Sequence, residues 1–596
     1  MTDQLEPPSR VLSNFHHGGH VLSDDAPDAK ELSEERVRIS LASSVVPGED
    51  LADAGVTTSF DYLFDQLAAE FPAHHIPGDP ATVTAALKAL GEAMAEPNPA
   101  QETDLQPDGN STIPPVYTYW GQFIDHDITA NTDRKNTVTD VTREPLTPLQ
   151  PADVRQNLQN LRQPALNLDS VYGDGPFGTK DPLNPGPEYD GIALRVGEVA
   201  LKSDDGSGIP GVPVAPDGDL LHDLPRQAHV AQIGDARNDE NLVVAQLHVA
   251  FLRFHNAVLD RVRADGADRH HRGDDERRHG DDRALFERTR DLVRWHYQWL
   301  VVHDFLKTVT LPGIVDKVLL GGPRHFAPRH GHTYMPLEFS VAAYRFGHSM
   351  VRGAYDYNRN FGRQPDGSDG HVIKSAPFKF LFIFTGNARP PFQPNPAATQ
   401  SPTQVLPFNW VIEWDNFVDK GDSTPDHFAR KIDTQLTPPL SNMINQITPT
   451  EDGLPAPLKD ILKRLAVRNL LRGYQLALPV GQAVAAALGV QPLSEEELKR
   501  GNSDAVNAAL IQGGFLLNTP LWFYVLKEAE VQANGNSLGE VGSRIVVETL
   551  IGQLLADPDS FLGRGNGWSP AQGVLLPDGE PIVTIKDLFH FAGLPA

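Results

Sequence analysis

Between residues 131 and 235 the chain runs through Pro, Asp and Gly with few repeating apolar periods, and that tract limits what the rest can form. A free loop of such length is rare in a compact fold, so the tract is expected to wrap over a core or to line a site. The core must come from helical patterns on either side. Leu242, Ala245, Val249 and Leu252 recur at spacings of three and four, and Leu259 continues the stripe, which predicts a long helix over 241–262. Trp120, Phe123, Ile124 and Ile128 predict a helix starting near Pro115. Leu292, Trp295, Trp299 and Leu300 predict one over 283–308. The charged stretch between, 267–282, reads as a solvated linker rather than a metal-binding histidine tract. Helical patterns also occur within 60–96, and further helices are expected at 339–351, 426–435, 458–471, 483–488, 495–512 and 539–556. The fold class is therefore mainly α, a single large domain with long ordered coil and little β. Residues 1–34 lack periodicity and read as an N-terminal arm, on the surface or disordered. The domain is expected over 35–596, with core motifs in 115–490 and a helical extension over 491–596.

Composition narrows the chemistry. With 51 Lys+Arg against 78 Asp+Glu, the formal charge of −27 argues against nucleic acid or an anionic membrane as main partner. The chain has no cysteine. Disulfides, a thiol nucleophile, iron–sulfur clusters, zinc ribbons and thiolate-ligated haem are all excluded. Redox chemistry would need a cofactor held by nitrogen and oxygen ligands, which directs attention to the 22 histidines. The first thirty residues show no signal peptide. The nearest approach to a membrane-spanning run, 476–490, is interrupted by Pro479, Gly481 and Gln482, so no membrane span is expected. The chain reads as soluble, either cytoplasmic or exported by a signal-less route.

Three segments combine histidine, arginine and carboxylate in ways that folding does not require. In Trp120-Gly-Gln-Phe-Ile-Asp-His-Asp127, Gln122 and His126 lie four apart on one helical face, and Asp125 and Asp127 flank the histidine. Such a polar triplet beside an apolar face is expensive unless it serves a site. Taken alone, His126 also fits a satisfied core histidine or a metallohydrolase ligand for zinc or manganese. In Gly234-Asp-Ala-Arg-Asn-Asp-Glu-Asn241, Arg237 and Glu240 project together from a helix start, although a capping carboxylate and a surface arginine read as well. In Tyr344-Arg-Phe-Gly-His348, a glycine inside a helix costs about 1 kcal/mol against alanine, and it would let a flat ligand approach beside His348.

The three motifs together, with VYG at 171–173 and RNLLRGYQLALPVGQ at 468–482, resemble the animal-type haem peroxidases of the peroxidase–cyclooxygenase superfamily. The resemblance covers roughly residues 60–555 and is nearest to the cysteine-free bacterial members. It implies a haem peroxidase that reduces hydrogen peroxide while oxidising halides, thiocyanate or small aromatic donors such as phenols. It implies haem b, with His348 as proximal iron ligand, Asn442 opposite its other ring nitrogen, and Arg345 pairing with a propionate. His126 would be the distal base, Arg237 the distal charge, and Gln122 would hold a distal water or halide. Asp125 and Glu240 match the residues that form ester links to haem. Asn241 stands where one animal member has a methionine, so no sulfonium link can form. A calcium site is implied at Asp127, Asn167, Asp169 and the carbonyls near Gln163 and Ala165. Asn167 and Gln163 replace a family aspartate and threonine, which weakens calcium or favours sodium.

Two rival functions remain. Fatty-acid dioxygenases of the superfamily use a tyrosine three places before the proximal histidine. That position is Arg345 here, and Tyr344, one place earlier, is expected to be turned about 100° away on a helix. A haem-binding sensor without turnover is the other. The substrate channel is expected from the irregular segments of 131–235, and peroxide removal under oxidative stress, defence and halogenation all fit.

Overall fold

The computed structural model describes residues 59–96, 109–133, 145–178 apart from 161, 186–200, 219–267 apart from 228 and 229, 275–329, 333–361, 376–386, 405–443 apart from 420 and 422–427, and 463–596 apart from 566, with short pieces at 14–15, 19–20, 141 and 460–461. The arm predicted over 1–34 lies outside them, except for a two-residue strand pair at 14–15 and 19–20.

The longer helices are α1 (Pro80–Ala93), α2 (Val116–Ile128), α3 (Leu242–Ala267), α4 (Asp275–Leu300), α5 (Leu465–Gln475), α6 (Leu521–Ala533) and α7 (Glu540–Ala556). Strands among the described residues are two or three residues long and pair only in twos. The mainly α reading holds. One apolar cluster runs from Phe60 to Leu594, so the stretch 491–596 is built into the core rather than appended to it. Trp522 from α6 lies against His348, and Phe589 stacks on Trp414 at 4.3 Å.

The predicted apolar stripes are the faces that pack. Phe123 of α2 stacks on Phe251 of α3 at 4.7 Å and 6°, which fixes the two helices that carry the polar motifs against each other. α5 crosses α1 so closely that a Cβ at Gly91 would come within 2.7 Å of the Val467 nitrogen. Over Leu242–Asp265 α3 is long and apolar enough to cross a membrane, but its most apolar part is mostly buried inside the protein. Polar residues such as Gln246 and His248 interrupt its apolar run in the sequence.

Several boundaries differ from the sequence expectations. α4 begins at Asp275, inside the charged stretch predicted as linker, because Glu and Arg are good helix formers even without an apolar face. Helix continues past it, through a π turn at Val301–Phe305, to Val309. The helix predicted over 495–512 is two, Glu495–Lys499 and Asp504–Gln512, separated by Gly501 at φ +75° and restarted by Ser503 as N-cap. No helix forms over the described residues 428–435. The helix expected over 458–471 is displaced to α5. The tract 131–235 wraps the core as expected where it is described: Val154, Leu158, Leu166, Leu168, Val171 and Leu194 are all buried in the main cluster.

The segment predicted as a helix over 339–351 is instead a π turn, Glu338–Ala342, followed by a 3-10 turn, Ala343–His348. Glu338 anchors it. Its carboxylate is fully buried and accepts from the Leu63 and Phe64 N–H groups at 2.7 and 3.2 Å, tying the segment to the parallel strand pair formed by Phe60–Asp61 and Met335–Pro336. Burial pushes this carboxyl up to about 7 from 4.5. The folded state therefore holds a proton that the unfolded state has released between those values, so stability falls as pH climbs through that window. Urea unfolding at pH 5 and pH 8 is expected to show the wild type losing of order 2 kcal/mol more than Glu338→Gln across the interval. Parallel pH dependences for the two proteins would show that Glu338 is not the proton-binding group.

Candidate active site

α2 brings Gln122, Asp125, His126 and Asp127 to the protein interior, and the 3-10 turn Ala236–Asp239 meets it from the start of α3. His126 is wholly buried. Its Nδ1 lies 2.9 Å from Asn238 Oδ1, and its Nε2 has no hydrogen-bond partner. That Nε2 is 3.9 Å from Glu240 Oε2. Burial, with the Arg237 charge next, holds the imidazole below its ordinary value, so the ring is neutral at pH 7.

Arg237 is locked in place. Its Nε and Nη2 donate to Asp235 at 3.1 and 2.7 Å, and Nη2 also donates to the His126 carbonyl at 2.8 Å. Nη1 is buried without a partner. Arg162 grips Asp235 from the other side, Nη2 to Oδ2 at 2.5 Å, and donates to the Gly234 carbonyl. Burial alone would raise the Asp235 carboxyl, but the two guanidiniums outweigh it and hold the group ionised far below the usual carboxylate range.

His348 stands at the end of the 3-10 turn. Three residues per turn eclipse positions i and i+3, so Arg345 shares the His348 face and Tyr344 shares the Gly347 face. The residue on the His348 Nδ1 is Asn469 of α5, at 2.8 Å, and its amide oxygen accepts from Arg345 Nη1 at 2.9 Å. Asn442, expected in that role, is exposed at the end of a separate 3-10 turn. The motif containing Asn469 was recognised, but the amide was not picked out. The available signal was a buried amide between Arg468 and Arg472 on an otherwise apolar helix. Burial, then Arg345 and Arg468, pushes His348 well down, while burial lowers Arg345 to about 10, and burial with the Arg345 charge lowers Arg468 to about 9. An anionic ligand would relieve that crowding of positive charge.

Between these two groups lies a cavity of about 970 Å³, counting its mouth, in the range of cofactor pockets. Gln122, Asp125 and Glu240 line one side, Arg345, Gly347 and His348 the other, with an apolar wall that includes Phe378, Leu381 and Phe382. His126 and Arg237 stand just behind the first side. A Cβ built at Gly347 would meet no atom within 4 Å, so the glycine faces open space. Tyr344 also lines the cavity and stacks on Phe339 at 4.4 Å, contrary to the expectation that it turns away. Tyr344 reaches the cavity on the Gly347 face of the 3-10 turn, since Gly347 lines it too. Among the described residues of 131–235 none lines the cavity, and Arg162 and Asp235 act from behind the wall.

Residues 193–378 match the family model described as animal haem peroxidase. Over that span the chain is similar to the animal haem peroxidases. Over 283 residues it is 27% identical to a curated peroxidase-like protein of Margaritifera margaritifera, covering 41% of this chain. The chain spans about a third, 32%, of that relative's length. The fold matches the fatty acid alpha-dioxygenase of Oryza sativa, with TM-score 0.50 and 14% identity over 89% of this chain and 79% of the other. Peroxidase A of Dictyostelium discoideum aligns at TM-score 0.49 and 15% identity, over 86% and 88% of the two chains. The likeness to the dioxygenase is one of fold.

The remaining sequence candidates fall as follows. Asp125 accepts from the Thr129 hydroxyl at 2.6 Å. Glu240 accepts from Gln122 Nε2 at 3.0 Å, and Gln122 Oε1 accepts from Asn241 at 3.2 Å. The distal polar groups thus form one hydrogen-bonded wall. Asp127 accepts from the backbone N–H groups of Leu168 and Ser170 at 3.0 and 3.3 Å, and burial, then Asp169, pushes its carboxyl up to about 7. Asn167 donates to Gln163 at 3.2 Å while its own buried oxygen has no partner, and the Ala165 carbonyl faces Gln298. Among the described residues no group of three or more His, Cys, Asp or Glu side chains could hold a metal ion. Asn238 and His248 were not foreseen at all.

Asp235 supplies the test of the distal charges. Removing one partner of a buried ion pair leaves an uncompensated charge and costs roughly 3–5 kcal/mol. Asp235→Asn is expected to lower the unfolding free energy by about that much in urea. A loss under about 1 kcal/mol would show that Arg162 and Arg237 do not depend on Asp235.

Proposed function

We propose that this chain is a peroxidase that reduces hydrogen peroxide and oxidises halides, thiocyanate or small aromatic molecules. What carries this reading is a buried, neutral His126 with a bare Nε2 and an Arg237 whose Nη1 is unused, set behind the Gln122–Glu240 wall of the cavity that His348 also lines. The glycine at 347 leaves room for a flat group, and once Arg345 leaves the Asn469 oxygen for a propionate, that amide would turn its oxygen to His348 Nδ1–H and free Nε2 for iron. His348 would hold the iron, Arg345 a propionate, and Asp125 and Glu240 are the carboxylates suited to ester links. Bound haem supplies the electrons that cleave the O–O bond.

His126 Nε2 takes a proton from the near oxygen of bound peroxide and returns it to the far one, which requires the neutral ring. Arg237, held by Asp235, keeps a fixed positive charge where negative charge gathers as the bond breaks. Gln122, fixed between Glu240 and Asn241, orients a water or halide on the same side. The apolar wall at Phe378, Leu381 and Phe382 favours aromatic donors over thiocyanate. For calcium, Asp127, Asp169, the Asn167 oxygen and the carbonyls near Gln163 and Ala165 are hard oxygens; with so few carboxylates, carbonyl and amide ligands would have to complete the shell.

The test is the visible spectrum of chain expressed with haem, then acid–organic extraction. A Soret band that remains with the polypeptide is the expected result, and one that extracts would remove the ester assignment alone. No band in replete protein would end the haem reading. Arg237→Ala is expected to lower kcat/KM for peroxide at least tenfold, about 1.4 kcal/mol; a smaller effect would favour a non-catalytic haem binder.

Tyr344 in the cavity wall is the observation that favours a second reading, fatty-acid oxygenation through a tyrosyl group. Oxygen uptake with a long-chain fatty acid decides it. The peroxidase reading expects none, whereas uptake abolished by Tyr344→Phe would establish the dioxygenase.

A further inference from the structure

The buried polar chain behind His126 extends further than peroxide chemistry requires. Asn238, wholly buried, sits between two wholly buried histidines. Its Oδ1 is 2.9 Å from His126 Nδ1, and its Nδ2 is 2.9 Å from His248 Nδ1 on α3. An amide has one accepting and one donating end. With the oxygen toward His126, the His126 proton must be on Nδ1, and with the nitrogen toward His248, the His248 Nδ1 must be bare. The two rings are therefore locked in opposite tautomers. Turning the amide over would reverse both together.

We propose that Asn238, held by His248, is a positioning residue that keeps the proton of His126 on Nδ1 and leaves Nε2 bare toward the cavity. The consequence for peroxide rests on the peroxidase reading above, but the tautomer itself does not. A base that presents Nε2–H cannot accept a proton there, however well it is placed. His248 adds a second constraint. It lies in the apolar packing of α3 beside Phe123, its own Nε2 makes no hydrogen bond, and its one polar link is to Asn238. Its contribution is to anchor the far end of the amide, which can then turn only if both rings exchange tautomers together.

The test reads the ring protons directly, by long-range proton–nitrogen correlation on the full chain labelled with 15N-histidine. Spectra are taken with and without zinc protoporphyrin, a diamagnetic stand-in for haem, and His126→Gln and His248→Phe supply the assignments. The expected result is a proton on Nδ1 of His126 and on Nε2 of His248, with His126 losing its single tautomer in Asn238→Leu. Asn238→Asp keeps an acceptor for His126 and is expected to restore the Nδ1–H form. If Asn238→Leu does not fold, His248→Phe frees the amide and is expected to give mixed His126 tautomers. A wild-type His126 protonated on Nε2, or a His126 tautomer indifferent to both variants, would overturn the proposal.

In haem-loaded protein, kcat/KM for peroxide is expected to fall at least tenfold in Asn238→Leu with the Soret band unmoved, and to recover in Asn238→Asp. An unchanged rate would overturn the positioning role. A wild type with no peroxide turnover would sink the peroxidase reading and leave the tautomer measurement to decide this inference.

Discussion

The site depends on a problem of solvation. A neutral imidazole and a charged guanidinium sit side by side in the protein interior, and in that medium each must be held by partners or be very costly. Asp235 resolves it for the charge, because one carboxylate between Arg162 and Arg237 turns three isolated ions into a bonded set. Asn238 resolves it for the imidazole. Both come from the short turn before α3, so the stacking of Phe123 on Phe251, which seats α3 against α2, also sets the distance between base and charge. Apolar packing supplies the position and polar pairing supplies the orientation.

The facing side uses a different device. A regular α-helix through 338–348 would spread Tyr344, Arg345, Gly347 and His348 around its circumference. The change from π to 3-10 winding collapses them onto two faces, one with Arg345 and His348 and one with Tyr344 and Gly347. Asn469 then bridges the first pair with a single amide. Glu338, pinned to the first strand at the start of the π turn, holds the irregular winding in place. Irregular helices are tolerated where the surroundings over-determine them, and functional sites are where they concentrate.

Much of the fold and part of the site were legible in the residues. The stripes of α2 and α3 are strongly periodic, and a period is a local property that survives without knowledge of neighbours. His126, Gln122 and Asp125 fall on α2, and Arg237 and Glu240 at the turn before α3, as their spacing suggested. Errors arose wherever the answer depended on a partner far away in sequence. Asn442 and Asn469 are both amides in promising motifs, and only the crossing of α5 behind the 3-10 turn makes one of them the neighbour of His348. Tyr344 faces the cavity because the wall there is formed on the Gly347 side of the turn as well as the Arg345–His348 side, which spacing alone does not reveal.

By itself, then, the sequence determined a mainly helical chain without thiol chemistry, carrying two histidines and an arginine in segments too polar for their apolar surroundings. Periodicity and composition are local, and they suffice for that. The tertiary structure alone decided which groups meet: that Asn469 braces His348, that Asn238 joins His126 to His248, and that Arg162 and Asp235 support the distal wall from behind. The physical reason is that hydrogen bonds between buried side chains act over about 3 Å, and only packing of the whole chain fixes which atoms come within that reach.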